Sequence, residues 1–227
     1  LKYIVSVDLG TMNDFTAISI LDELYRPRVK QTAADVRRGL EGTVYNERIY
    51  ALRHLQRIKL KTSYVDIVAT IAGLMNSSPL RGDCELVVDS TGVGRPVVDM
   101  LLKEHLNPVA VTITGGKSVS NPAGSEYHVP KRDLATSLQV AFASKRLSIV
   151  SGLSLTNDFL REVENFKIKI SIGGSETYEA WREKDHDDLV LSVAMGVWWA
   201  FFSRCQDVKI KPPHQDKTEF DPLRYEL

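Results

Sequence analysis

Lys2-Tyr3-Ile4-Val5-Ser6-Val7-Asp8-Leu9-Gly10-Thr11 is the stretch that decides the fold class. From Tyr3 to Val7 the chain is almost continuously apolar and rich in β-branched side chains. That is the pattern of a strand covered on both faces. An acid, Asp8, falls where the strand should end, and Gly10 permits a sharp turn just beyond it. A carboxylate at the tip of a central strand is costly unless its charge is met. A metal ion, or a metal-bound phosphate, would meet it. Asp-X-Gly also opens ordinary tight turns, so this stretch by itself leaves both readings open.

Working outward, Asp14 to Leu21 reads as a second strand, joined to the first by so short a turn that the pair must be an antiparallel hairpin. A third strand lies within Ile49 to Leu60. Glu85-Leu86-Val87-Val88-Asp89 is another short buried strand ending in an acid, followed by the Gly-containing turn Ser90 to Gly94. Pro108 to Thr114 and Leu147 to Val150 are further strands. Helices are predicted from the Ser63 cap to Asn76, from Pro96 to Glu104, from Pro130 to Ser144, from Thr156 or Asn157 to Phe166, and from Asp187 to Phe202. The last is apolar nearly all round and should be buried. Gly115 to His128 has loop composition. Lys167 to Ile172 and Glu176 to Arg182, around Gly173-Gly174, read as a hairpin. Residues 26–46 are mixed and polar and match no element. The pattern is α/β, a mixed central β-sheet flanked by α-helices, over residues 1–204, with a polar tail over 205–227.

Composition narrows the function classes. The chain has 227 residues, with 29 Lys plus Arg against 29 Asp plus Glu. A net charge of zero argues against a strongly basic nucleic-acid binder but leaves local patches open. Two cysteines far apart, Cys84 and Cys205, make neither a disulfide framework nor a zinc site, which points to a reducing interior. The strand-like N-terminus does not read as a signal peptide, so none is expected. The longest apolar run, Leu189 to Phe202, is shorter than the roughly 20 residues a bilayer requires, so no membrane partner is expected. Beginning inside a strand suggests a piece of something longer.

The chemistry sits in three acidic points: Asp8, Asp89 and the pair Asp187-Asp188. Adjacent strands would bring the first two to one sheet edge, and the helix start can join them. Two divalent ions about 4 Å apart need carboxylates converging in this way, and Mg²⁺ prefers oxygen ligands. An Asp at a helix start is also a common cap. His186 is read as a neighbour that orients the acids. Lys131 at a helix start opposes the dipole and suits either a phosphate contact or plain solvent. Arg53, Arg57, Lys59 and Lys61 are candidates for lining a DNA groove, or for an exposed charged strand face. Trp181, Trp198 and Trp199 are expected in the core, Glu162 and Glu164 on a solvated helix face. Gly115-Gly116-Lys117-Ser118 imitates the end of a phosphate-binding loop, but Val111 stands where its first glycine should be.

Four motifs in series resemble the nuclease domain of the tailed-bacteriophage terminase large subunit. Val5 to Thr11 followed by Asp14-Phe15-Thr16-Ala17 is similar to its first acidic motif, and Leu86 to Gly94 to its second. Val129-Pro130-Lys131-Arg132-Asp133-Leu134 resembles its loop-to-helix junction. His186-Asp187-Asp188-Leu189-Val190, with Ser192 and Ala194, resembles its third acidic motif. The likeness covers Lys2 to Phe202 and implies a ribonuclease H-like fold. It also implies cleavage of double-stranded DNA concatemers during viral genome packaging, in the host cytoplasm. Two Mg²⁺ or Mn²⁺ ions would be held by Asp8, Asp89 and Asp188, with Asp187 a further ligand or helper. Asp8 would bridge the ions, one activating water and the other steadying the leaving 3′ oxygen. A packaging ATPase domain absent from this chain, a portal and a small terminase subunit would be partners. A junction-resolving nuclease of the same fold is the nearest alternative. Asp8-Leu9-Gly10-Thr11 also resembles the first phosphate motif of the actin, heat-shock chaperone and sugar-kinase superfamily. That fold needs a second lobe and a late Gly-Gly adenosine motif, where this chain has His186-Asp187-Asp188. A non-catalytic DNA-binding module would have no use for converging carboxylates.

Overall fold

Strand β1 (Tyr3–Asp8) is buried from Ile4 onward because it lies in mid-sheet with covered faces on both sides. The computed structural model describes residues 1–11, 14–92, 94–172 and 186–205. After β1 come β2 (Thr16–Lys30), α1 (Ala33–Arg37), β3 (Thr43–Ile58), α2 (Tyr64–Met75), β4 (Cys84–Asp89) and α3 (Gly94–Lys103). Then follow β5 (Val109–Thr114), β6 (Ser120–Ala123), β7 (Glu126–Pro130), α4 (Lys131–Ala143), β8 (Leu147–Ile149), α5 (Thr156–Ile172) and α6 (Asp188–Cys205). The eight strands form one mixed sheet in the order β6-β7-β5-β4-β1-β2-β3-β8.

β1 pairs antiparallel with β2, as the short connection requires, and parallel with β4. The turn between β1 and β2 depends on a glycine: a Cβ on Gly10 would lie 2.3 Å from the Asp14 carbonyl oxygen. Side chains alternate across β1. Ile4 joins the core under α4, α5 and α6, whereas Val5, Val7 and Leu9 join the core under α2 and α3. α2 starts where Ser63 predicts, the Ser63 hydroxyl accepting the Asp66 N–H at 3.2 Å.

Three expectations are corrected. The stretch Gly115 to His128 is not all loop. Tyr127 and Val129 alternate with polar neighbours, β7 pairs parallel with β5, and Tyr127 packs edge-on against Trp198. The expected strand Lys167–Ile172 is the continuation of α5. Alternating isoleucines there imitate a strand, but Phe159, Val163 and Phe166 are buried at helical spacing and the helix propagates through them. The partner strand over 176–182 lies outside the described residues, as do Trp181 and 206–227. Residues 26–46, unassigned from sequence, complete a long two-stranded ribbon. β2 and β3 pair from Leu24↔Ile49 to Lys30↔Thr43, beyond the last β1 partner at Asp22, with α1 at the tip. Trp198 is buried and Trp199 partly so, as expected. Among the described residues no helix is long and apolar enough to cross a membrane.

Candidate active site at the end of the central strands

Parallel pairing sets two acids side by side. β1 and β4 run in register from Tyr3↔Cys84 to Val7↔Val88, and the next residue of each is Asp8 and Asp89. The Asp89 carboxylate is near enough to act on the Asp8 carboxyl. Asp89 Oδ1 also accepts the Thr91 N–H at 2.8 Å, so the turn after β4 fixes that carboxylate.

The third acid arrives on α6, which crosses β1 in the opposite direction. The Ser6 hydroxyl donates to the Ser192 carbonyl and lies 2.9 Å from the Ser19 hydroxyl. Gly196 rests so near that a Cβ there would stand 2.8 Å from Ser6 Oγ. These small residues let the helix lie directly on the sheet. Asp8 is two strand residues past Ser6, about 7 Å. Asp188 is four helix residues before Ser192, about 6 Å. The two spacings bring the carboxylates to the same place. At the helix's other end, Arg204 Nη2 donates to the Leu1 carbonyl at 3.1 Å.

Asp8 and Asp89 are each 8% exposed and Asp188 5%. Burial, then the charges of Asp89, Asp187 and Asp188, push the Asp8 carboxyl well above the usual carboxylate range. Like charges crowded in a poorly solvated spot favour the neutral acid. The other three expected acids therefore all act on Asp8.

Two cations answer them. Lys131, the first residue of α4, places Nζ 2.8 Å from Asp187 Oδ2 and 5.3 Å from the Phe166 ring centroid. Arg57 is the larger surprise. Instead of facing a DNA groove or solvent, it points inward from β3. Its Nε is 2.7 Å from Asp188 Oδ2 and its Nη2 is 3.0 Å from Asp188 Oδ1. Nη2 also donates to Glu162 Oε1, and Glu162 Oε2 accepts the Val190 N–H at 2.9 Å. The guanidinium stands over the Phe15 ring, 5.0 Å from its centroid. Phe15 in turn meets His186 edge-on, so exposed His186 is held by stacking beside the acids.

Glu162 is the residue that sequence reasoning missed. Its charge predicts a solvated face; it is buried, and burial pushes its carboxyl up to about 8. Its spacing carried a signal, since Glu162 sits three residues after Phe159 and four before Phe166, on the apolar stripe of α5. Glu164 is exposed as expected. The four basic candidates do not share one face. Arg53 pairs with buried Asp22 at 2.7 Å, near the other end of β1, while Lys59 and Lys61 are exposed just past the end of β3.

Four carboxylates offer hard oxygen donors, the ligand type that suits Mg²⁺ or Mn²⁺. Among the described residues, however, no group of three or more His, Cys, Asp or Glu side chains stands ready to hold a metal ion. Asp188 is turned onto Arg57, and Asp187 onto Lys131. The donor chemistry fits a divalent cation, with two of the four donors engaged by internal cations.

Among solved structures, the large terminase nuclease from thermophilic phage G20c is similar at TM-score 0.51 and 16% identity, over 88% of this chain and 81% of that one. The fold is ribonuclease H-like. The human cytomegalovirus terminase nuclease domain, Mn soaked, gives TM-score 0.46 at 12% identity over 87% of this chain and 84% of that one. The large terminase from a second thermophilic bacteriophage gives 0.45 at 10% identity, over 71% of this chain and 31% of that one. No family model and no curated protein matches the chain.

Proposed function

We propose that the chain is a divalent-metal-dependent endonuclease that cuts double-stranded DNA, the nuclease part of a viral packaging terminase. The observation that carries this reading is the convergence of Asp8, Asp89, Asp187 and Asp188 where β1 and β4 end. Three acids crowded round a fourth closely enough to raise its proton affinity have little structural value of their own. A ribonuclease H-like sheet supplies the scaffold.

Asp8, Asp89 and Asp188 would hold the metal, with Asp187 as a further ligand. Bound divalent ions supply Lewis-acid chemistry, lowering the pKa of water and steadying the departing oxygen. The chain's own residues do the rest. Asp8 sits between the other acids and is the group best placed to serve two ions. Thr91 orients Asp89 through its N–H. Lys131 stands beside Asp187 with a flexible ammonium suited to a phosphate oxygen. Lys59 and Lys61 offer exposed charge for the DNA backbone near this end of the sheet. His186, against Phe15, steadies the segment that leads into the acids. By the same reading the partners are DNA, a packaging ATPase domain, a portal and a small subunit, and the site of action is the host cytoplasm.

Plasmid DNA incubated with Mg²⁺ or Mn²⁺ and no ATP tests the reading. Cleavage of linear duplex that is lost in Asp89→Asn supports it. Cleavage confined to four-way junctions would make the chain a resolvase. ATP turnover without cleavage would make it a kinase-like fold.

A further inference from the structure

We propose that Arg57 is a resident cation of the acid cluster that competes with divalent metal for Asp188, and that Glu162 is the second partner that keeps Arg57 in place when Asp188 turns to an ion. The inference rests on the metal-dependent reading above, but its test measures ion binding rather than cleavage.

Three observations carry it. Arg57 takes both oxygens of Asp188 through a two-pronged contact, at 2.7 and 3.0 Å. That planar fork is the strongest grip a side chain has on a carboxylate. Next, Asp8 lies within electrostatic reach of three other acids, yet no ready-made set of three ligands exists among the described residues. The acids are gathered but not presented. Finally, Arg57 has a second carboxylate. Glu162 is buried, is tied to the Val190 N–H at 2.9 Å, and accepts from the same Nη2 that holds Asp188. A guanidinium released into a buried space with no partner would be very costly. Glu162 removes that cost, so Asp188 can leave Arg57 without leaving it unpaired. The Phe15 ring, 5.0 Å from the guanidinium carbon, keeps it over the same spot.

The two partners of Arg57 therefore act in opposite directions on ion binding. Removing Arg57 takes away the competitor and leaves Asp188 and Glu162 in need of a cation. Glu162→Gln replaces the carboxyl group that accepts from Arg57 Nη2 and leaves the guanidinium with Asp188 as its one carboxylate partner among the described residues. A plain structural salt bridge gives no such opposition, and a residue that merely aims a ligand gives affinity loss in both cases.

The experiment is Mn²⁺ titration of the whole chain by calorimetry, with Mn²⁺-induced thermal shift in parallel, for the native protein, Arg57→Gln, Arg57→Lys and Glu162→Gln. Mn²⁺ should bind Arg57→Gln about tenfold more tightly than the native chain and Glu162→Gln about tenfold more weakly, the lower end of what changes beside metal ligands do. Arg57→Lys, which keeps the charge and loses the fork, should lie between native and Arg57→Gln. If Arg57→Gln does not fold, Arg57→Lys and Glu162→Gln must still move in opposite directions. Unchanged affinity in both, or loss in both, overturns the proposal while native binding leaves the nuclease reading standing. No Mn²⁺ binding by the native chain overturns both.

Discussion

Lys131 Nζ lies 2.8 Å from Asp187 Oδ2, which joins the first residue of α4 to the residue just before α6. The ammonium sits at the edge of the acid cluster, only partly exposed, where a scissile phosphate would pass. Lys131→Ala should slow cleavage about a hundredfold, the scale of losing one donor that steadies transition-state charge. A cleavage assay at moderate salt checks this. A native rate in the variant would reduce Lys131 to a partner of Asp187 alone.

Asp8→Ala, Asp89→Ala and Asp188→Ala should each abolish cleavage. In the absence of metal Asp8→Ala should be as stable as the native chain or more so, because the acid on which three others act is gone. Asp188→Ala should gain less, since it strips Arg57 of one partner. Thermal unfolding in EDTA beside plasmid cleavage with Mn²⁺ separates the two effects. An active Asp8→Ala protein would end the metal model.

Stability of the metal-free chain should fall as pH rises. Burial pushes Glu162 up to about 8, and burial with its acidic neighbours raises Asp8 as well. Between the ordinary carboxylate value and these raised values the folded chain binds more protons than the unfolded one. Unfolding free energy then decreases with pH across that window and is unaffected by these groups below it. The melting temperature in EDTA should be higher at pH 5 than at pH 8.5. Glu162→Gln should flatten the slope, and a native slope in that variant would contradict the assignment.

Gly196→Ala tests how closely α6 must sit. The new methyl would meet Ser6 Oγ at 2.8 Å and Leu21 Cδ1 at 3.2 Å. Overpacking of this kind costs about 1–3 kcal/mol. Because the contact lies two turns from Asp188, the variant should lose activity at temperatures where it remains folded. Denaturant melts and cleavage rates measured together read both.

DNA binding by this chain should be weak, indifferent to sequence and only shallowly salt-dependent. Net charge is zero, Arg57 faces inward and Arg53 is paired with Asp22. Near the acids Lys59 and Lys61 are exposed, and Lys131 can reach a phosphate only by turning from Asp187. Each neutralised phosphate contributes about −0.9 to the slope of log affinity against log salt. A salt titration with Asp89→Asn and several unrelated duplexes should give a slope near −3. Steep dependence, or tight binding to one sequence, would reveal a further basic surface.

The acids were legible in the sequence because each stands at the end of an element whose pattern is strong. Val5 to Asp8 and Val87 to Asp89 are unmistakable buried strands, and α6 is apolar on every side. Their convergence follows from strand order, which sequence pattern supplied only as a likeness. Arg57 and Glu162 were illegible for a different reason. A charged residue on a strand or helix is exposed in most proteins, and its inward turn depends on a partner 105 residues away. The ribbon over 24–49 was missed because its outer half covers nothing, so no apolar alternation marks it. Lys167 to Ile172 misled because alternating isoleucines suit a strand, while the helix before them had already been nucleated.

The antiparallel run of α6 along β1 sorts the molecule's ends. Leu1 and Arg204 meet at one edge of the sheet and the carboxylates lie at the other, separated by sixteen helix residues, about 24 Å. Polypeptide joined before Leu1 thus attaches away from the carboxylates. A fusion or a surface anchor made through Leu1 is therefore placed at the opposite end of α6 from the four acids.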